Sequence, residues 1–206
     1  MVYVKWTFIA LFWLIVLAFL HYTLPQHDIA RITDTYEKRI DPGENRWFWA
    51  QAEVGNNPDT GSRDVFFIQT RQADGDVMVY RNEDTGWGWP PYFKFDTSNL
   101  QAEANDLRSD ADNPRWVAIR HYGWRNEFIS IFPNAVSVRP VAGPDVTIIP
   151  WISIAILVTL AAAFWAIWVR WTRFWNRRVD PVLDSAGDRA RDAGDGVRGL
   201  FSRKSK

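Results

Sequence analysis

Residues 146–169 read VTIIPWISIAILVTLAAAFWAIWV, 24 consecutive positions without a charge. At 1.5 Å rise per residue such a helix is about 36 Å long, enough to cross a hydrocarbon core of about 30 Å with some tilt. Pro150 falls in its first turn, where a missing N–H costs little. Trp151 at one end and Trp165, Trp168 and Trp171 at the other suit the two headgroup layers, where an indole keeps its ring apolar and its N–H wet. A core helix of a soluble domain rarely needs this length, so the stretch is read as a membrane span.

A second apolar run lies at the other end of the chain, at 2–24, with Lys5 near its start and His21 near its end. Its rival reading is a cleaved signal peptide, since Val16-Leu17-Ala18 resembles a small-residue cleavage site. The apolar core from Trp6 to Leu20 is long and rich in Trp and Phe, which favours an uncleaved anchor. Basic residues set the orientation. Arg170, Arg173, Arg177 and Arg178 follow the second span, and Lys5 marks the matching end of the first. Both termini are therefore expected in the cytoplasm of a bacterial inner membrane, with residues 25–145 in the periplasm and the spans antiparallel.

The expected division is 1–24 first span, 25–145 extracytoplasmic domain, 146–169 second span and 170–206 basic tail. Net charge is +0, yet residues 25–146 hold 13 Lys and Arg against 19 Asp and Glu, and residues 170–206 hold 10 against 5. An acidic domain is thus cancelled by a basic tail. In the second span Ala155, Thr159, Ala162, Ala163 and Ala166 recur at helical spacing, a stripe that lets another helix approach closely. That helix is either the chain's own first span or one from another protein. In the tail, apolar residues from Val182 to Phe201 recur at spacings of three and four, interrupted by four glycines. This suits a helix lying on an anionic leaflet, or a segment that orders only on a partner.

Between the spans the period of the apolar pattern becomes two. Strands are predicted at 29–40, 47–54, 64–71, 77–82, 116–122, 127–132 and 135–141, with Ala73-Asp74-Gly75-Asp76 a hairpin turn and Pro133-Asn134 another. One helix is predicted over 100–108, capped by Thr97 or Ser98. The expected fold class is α+β: two transmembrane helices flanking a mostly β domain, a small barrel-like antiparallel sheet with one helix. Gly123 is a candidate bulge.

The runs DVFFIQT (64–70), FDTSNLQAEA (95–104) and HYGWRNEFISIFPNAVSV (121–138) resemble an uncharacterised alphaproteobacterial family of small two-pass inner-membrane proteins, a domain of unknown function. The resemblance implies a bacterial inner-membrane setting. It brings no activity and no functional residues.

No nucleotide fingerprint, nucleophile elbow or zinc-protease motif is present, and cysteine is absent, which excludes disulfides and thiolate chemistry. His21 and His27 are six apart across a proline and do not share a helical face, so no metal or other cofactor is expected. The oxygen-rich stretch 56–64 lacks the spaced ligands of a calcium loop. The most informative segment is GWGWPPYFKF at 86–95. Trp87, Trp89 and Phe93 there either fold back over the sheet's core or, with Tyr92, form a docking surface for a protein or for headgroups. Together with Ala155, Thr159, Ala162, Ala166, Trp168 and Trp171 they are the candidate contact residues. The expected role is a non-catalytic accessory or assembly subunit of an inner-membrane complex, in contact with lipids and other membrane proteins but not with nucleic acid. The alternatives are an envelope sensor or scaffold and, behind it, an enzyme acting at the membrane surface.

Overall fold

The structure is a computed structural model that describes residues 2–40, 48–49 and 63–179. The expected strand at 47–54, the stretch 56–62 and the amphipathic tail lie wholly or largely outside those residues. Helix α1 spans Val2–Thr23, followed by β1 (Gln26–Ile40), β2 (Arg63–Gln72), β3 (Val77–Asn82), α2 (Thr97–Asp106), β4 (Trp116–Tyr122), β5 (Asn134–Pro140) and α3 (Trp151–Phe174), which ends in a π turn at Trp175–Val179. The chain divides into two compact units, Met1–Ser153 and Ile154–Lys206. The first holds α1 and the β domain, the second most of α3.

Five strands close a barrel in the order β1-β2-β3-β5-β4. With α2 between β3 and β4, this is the connectivity of an OB-type Greek-key barrel. The length of β1 makes closure possible. Residues 30–40 pair with β2 and residues 26–31 pair with β4, and a register shift between Ile32 and Asp34 bends the strand from one partner to the other. Such an irregularity adds twist where a small barrel must turn a corner. The seam opposite is a single parallel bridge, Arg81 to Asn134. The Asn134 amide strengthens it, with Oδ1 accepting from Glu83 N and Nδ2 donating to Glu83 O, both at 3.0 Å.

Alternation along the strands sends Ile32, Ile68, Tyr80, Val117, Ile119, Ala135 and Val138 inward, and α2 plugs one end with Leu100 and Ala104. The cap of α2 is Asp96, which accepts from Asn99 N at 3.0 Å, in place of the predicted Thr97 or Ser98. Thr97 Oγ1 instead donates to the Asp84 carboxylate. The 73–76 hairpin forms as expected, with Gly75 at φ 94°.

One predicted strand does not form. Residues 127–132 are turns apart from a lone bridge between Asn126 and Ile131, and β5 already starts at Asn134. The reason is topological: β5 is flanked by β4 on one side and β3 on the other, so a hairpin at 127–141 would have no free edge. Gly123, at φ 93°, follows β4, and the register shift in that strand lies just before it, between Arg120 and His121. Helix α3 begins at Trp151, five residues later than the apolar run, and 146–150 are non-helical. Both α1 and α3 are long and apolar enough to cross a bilayer.

Candidate functional site

The last four carbonyls of a helix have no partner within it. In α1 each finds one. Leu20 O accepts from Leu24 N at 2.8 Å, His21 O from Gln26 Nε2 at 2.8 Å, Tyr22 O from Gly123 N at 2.9 Å and Thr23 O from Tyr92 Oη at 2.7 Å. Three of these donors belong to the barrel domain: Gln26 opens β1, Gly123 follows β4 and Tyr92 lies in the connection between β3 and α2. The backbone conformation explains Gly123, whose φ of 93° strains any L side chain, while a Cβ there would make only ordinary contact with Pro133 Cα at 3.5 Å and the Tyr22 ring at 3.6 Å. Trp124 Nε1 adds a bond to His21 Nδ1 at 2.9 Å. The helix is thereby joined to the barrel by a hydrogen-bonded joint rather than a tether.

The aromatic segment 86–95 is part of this joint. Thr85 N and Gly86 N both donate to Lys94 O, at 3.1 and 3.0 Å, and Lys94 N donates to Thr85 Oγ1, closing the base of the loop. Tyr92 turns inward and stacks on Tyr122 at 4.7 Å. Trp89 stacks on Phe19 of α1 at 5.6 Å, while Trp87 packs edge-on against Phe93 and Phe95, each at 5.5 Å. Of the two readings of this segment, folding back over the core fails. Trp87 is 83% exposed and Trp89 66%, and Phe93 and Phe95 are exposed as well. Phe128, at the tip of the β4–β5 connection, is fully exposed.

Lys94, at the loop base, is drawn beneath it. Its Nζ lies 2.5 Å from Asn82 Oδ1 and 2.8 Å from Ala135 O, in a buried position. Burial pushes its pKa from 10.5 down to about 7, against the pull of Asp84 and Glu83. Beside it the Glu83 carboxylate joins two arginines, Arg63 at 2.5 Å and Arg81 at 2.7 Å, all three buried. The Trp49 ring lies over the Arg81 guanidinium at 5.4 Å.

A third polar group closes the interior near α1. Tyr80 Oη donates to Asp28 Oδ2 at 2.5 Å, and His121 Nε2 lies 2.9 Å from the same oxygen. Burial raises the Asp28 pKa, but the His121 and Tyr80 contacts outweigh it and hold the carboxyl below its ordinary value. Burial and Asp28 together push the Tyr80 hydroxyl well up. Tyr80 is fully buried, and its bond to Asp28 with the His121 contact pins β1, β3 and β4 together. Among the described residues no cluster of His, Asp and Glu is arranged to hold a metal.

The remaining sequence candidates lie on the two long helices. Lys5 is exposed on α1. On α3 Ala155, Thr159, Ala162 and Ala166 are exposed, as are Trp168, Trp171, Arg170 and Arg173, and Arg177 and Arg178 lie in the π turn. Thr159 Oγ1 donates to Ala155 O at 2.8 Å, satisfying the hydroxyl within the helix. The ion cluster, Lys94 and the Asp28–Tyr80–His121 group escaped the sequence reading, because each joins residues from separate elements or connections that only the folded barrel brings together.

The family described as protein of unknown function, DUF1523, matches residues 1–175. The chain belongs to that family. A Haemophilus influenzae relative, itself an uncharacterized protein, is 37% identical over 155 residues, covering 75% of this chain and 83% of its own length. No solved structure matches. The family match runs from α1 into the π turn after α3, so the helices belong to the same unit of descent as the barrel.

Proposed function

We propose that this DUF1523 protein is a non-catalytic accessory or assembly subunit of a larger complex in the bacterial inner membrane. In this reading α1 and α3 are its two spans, residues 25–145 lie in the periplasm, and Lys5 with Arg170, Arg173, Arg177 and Arg178 keeps both termini in the cytoplasm. The observation that carries the reading is the joint at the end of α1, where barrel groups bond Tyr22 O and Thr23 O and Trp89 stacks on Phe19. A barrel fixed in this way keeps one height and one orientation over the bilayer. That serves a part whose work is to present a surface. The exposed rings of Trp87, Trp89 and Phe93 supply such a surface beside the membrane, and the Ala155–Ala166 stripe offers a partner helix a close approach.

The test is purification of the full chain from its native membrane in mild detergent, with crosslinking from positions 87 and 93. The expected result is a stoichiometric membrane-protein partner, lost when Trp87, Trp89 and Phe93 are changed together to alanine. A monomer crosslinked only to lipid would overturn the proposal. A second reading, an envelope scaffold whose periplasmic domain binds a ligand, is favoured by an arginine-lined groove beside Pro25.

A further inference from the structure

That groove lies on the outer face of β1, β4 and β5. Register builds its floor: His27 pairs with Arg120 and Arg120 with Ser137, so three side chains stand in one row across the sheet. In the next row Ala118 lies between Ile29 and Arg139, and its small side chain leaves depth. The far wall is the segment 148–153, tied back by Ser153 Oγ donating to Pro25 O at 3.0 Å. The enclosed volume is about 350 Å³. A second hollow of about 320 Å³ shares Pro25, His27 and Ile148 with the first and continues to His21 and Leu24 at the end of α1.

The charge of the groove is one-sided. Two arginines line it and no carboxylate does. Neither Arg120 nor Arg139 has an ion-pair partner among the described residues, and Arg120 Nε is buried there without a hydrogen-bond acceptor. A buried guanidinium nitrogen without an acceptor is costly, and an anion in the groove removes that cost. Burial, then Arg120 and Arg139, hold His27 below its ordinary pKa, so its ring is neutral at neutral pH. Away from the arginines the lining is Leu24, Ile148, Ile149, Pro150 and Trp151, which suits an acyl-glycerol portion.

We infer that the groove holds the phosphate of an anionic glycerophospholipid, with Arg120 and Arg139 on the phosphate oxygens and the acyl portion running past Ile148 toward the end of α1. The forked guanidinium matches phosphate geometry better than an ammonium does. The inference rests on the reading that α1 crosses the bilayer, which puts His21 and Leu24 at headgroup level. It supplies the scaffold reading with a ligand class.

To test it, the full chain is extracted in mild detergent from mixed phosphatidylcholine and phosphatidylglycerol vesicles, and the co-purifying lipid is quantified. Phosphatidylglycerol is expected to be enriched over its share in the vesicle. Arg139→Gln, at an exposed position, should cut the enrichment about fivefold, and Arg120→Gln with Arg139→Gln roughly thirtyfold, at the strength of one arginine near an anionic leaflet. Equal enrichment in wild type and the double variant overturns the inference. Saturable binding of glycerol phosphate in the absence of lipid would assign the site to a soluble phosphate and overturn the lipid assignment. Release of the chain from membranes by alkaline carbonate would refute the two-span reading itself. A chain that stays in the membrane without lipid preference loses only the present inference.

Discussion

Glu83→Gln is the sharpest probe of how the barrel is held. The carboxylate lies 2.5 Å from Arg63 and 2.7 Å from Arg81, and the side chains of all three are at most 6% exposed. Glutamine keeps the shape and removes the charge, so both guanidiniums lose their shared carboxylate in a place water does not reach. Removing one partner of a buried ion pair costs about 3–5 kcal/mol, a large part of the roughly 5–15 kcal/mol that holds an ordinary domain folded. At about 4 °C per kcal/mol for a domain of this size, the melting midpoint should fall by roughly 12–20 °C. Far-UV circular dichroism of the full chain in nanodiscs reads it from the β signal. A fall of under about 3 °C would mean that water reaches the arginines, and would refute the account of a dry cluster. The companion variant, with Arg63, Arg81 and Glu83 all changed to methionine, should recover most of the loss, because an apolar replacement removes the desolvated charges together.

Lys94 gives a pH signature of known sign. Its folded pKa is about 7 against an ordinary 10.5, so between those values the unfolded chain binds more protons than the folded one. The contribution is full above 10.5 and is lost as pH falls through about 7; the wild-type midpoint should therefore rise with pH across that window relative to Lys94→Met. A difference independent of pH, read by thermal melts at several pH values, would refute burial of a neutral amine. Tyr80→Phe removes a bond to Asp28 and should cost about 1–2 kcal/mol in urea unfolding; a neutral outcome would mean that the Tyr80–Asp28 bond contributes nothing. Brominated acyl chains should quench Trp87 and Trp89 in the reconstituted protein, and unchanged quenching in Trp87→Phe with Trp89→Phe would place the loop away from the bilayer.

The two apolar helices, the 73–76 hairpin and the β character of the middle were legible because each is written locally, in a period or a turn residue. The barrel-like sheet was expected as well and forms, but the way it closes was not legible. Nothing in 26–40 says that one strand will serve β2 with its second half and β4 with its first, since the pattern shows which side chains point inward but not which neighbour they meet. The strand expected at 127–132 follows from the same blindness: EFISIF alternates well, yet both edges of β5 were already taken. Of the candidate site, the aromatic loop was visible as composition, and its exposure was decided by Tyr92 and Lys94 turning inward while their neighbours stay out. Arg120 and Arg139, nineteen positions apart, become neighbours only through the register of β4 with β5.

OB connectivity by itself invites a nucleic-acid or oligosaccharide reading, since such barrels commonly bind along β2 and β3 between the β1–β2 and β4–β5 connections. Here that face is filled from within. Phe67 of β2 stacks on Tyr36 at 5.2 Å and meets Phe132, from the β4–β5 connection, at 5.3 Å. Trp49, from the β1–β2 connection, covers Arg81 of β3. From the two connections that would flank a ligand, Trp49 and Phe132 occupy the place it would take, over arginines already paired with Glu83. A strand of nucleic acid would also face a domain with 19 acidic residues against 13 basic ones. Among the described residues, open surfaces lie beside α1: the ring cluster of Trp87, Phe93 and Phe95 and the groove of Arg120 and Arg139. In the proposed reading the barrel's contact surfaces therefore lie at its membrane edge rather than on its usual face, next to the joint at Tyr22 and Thr23.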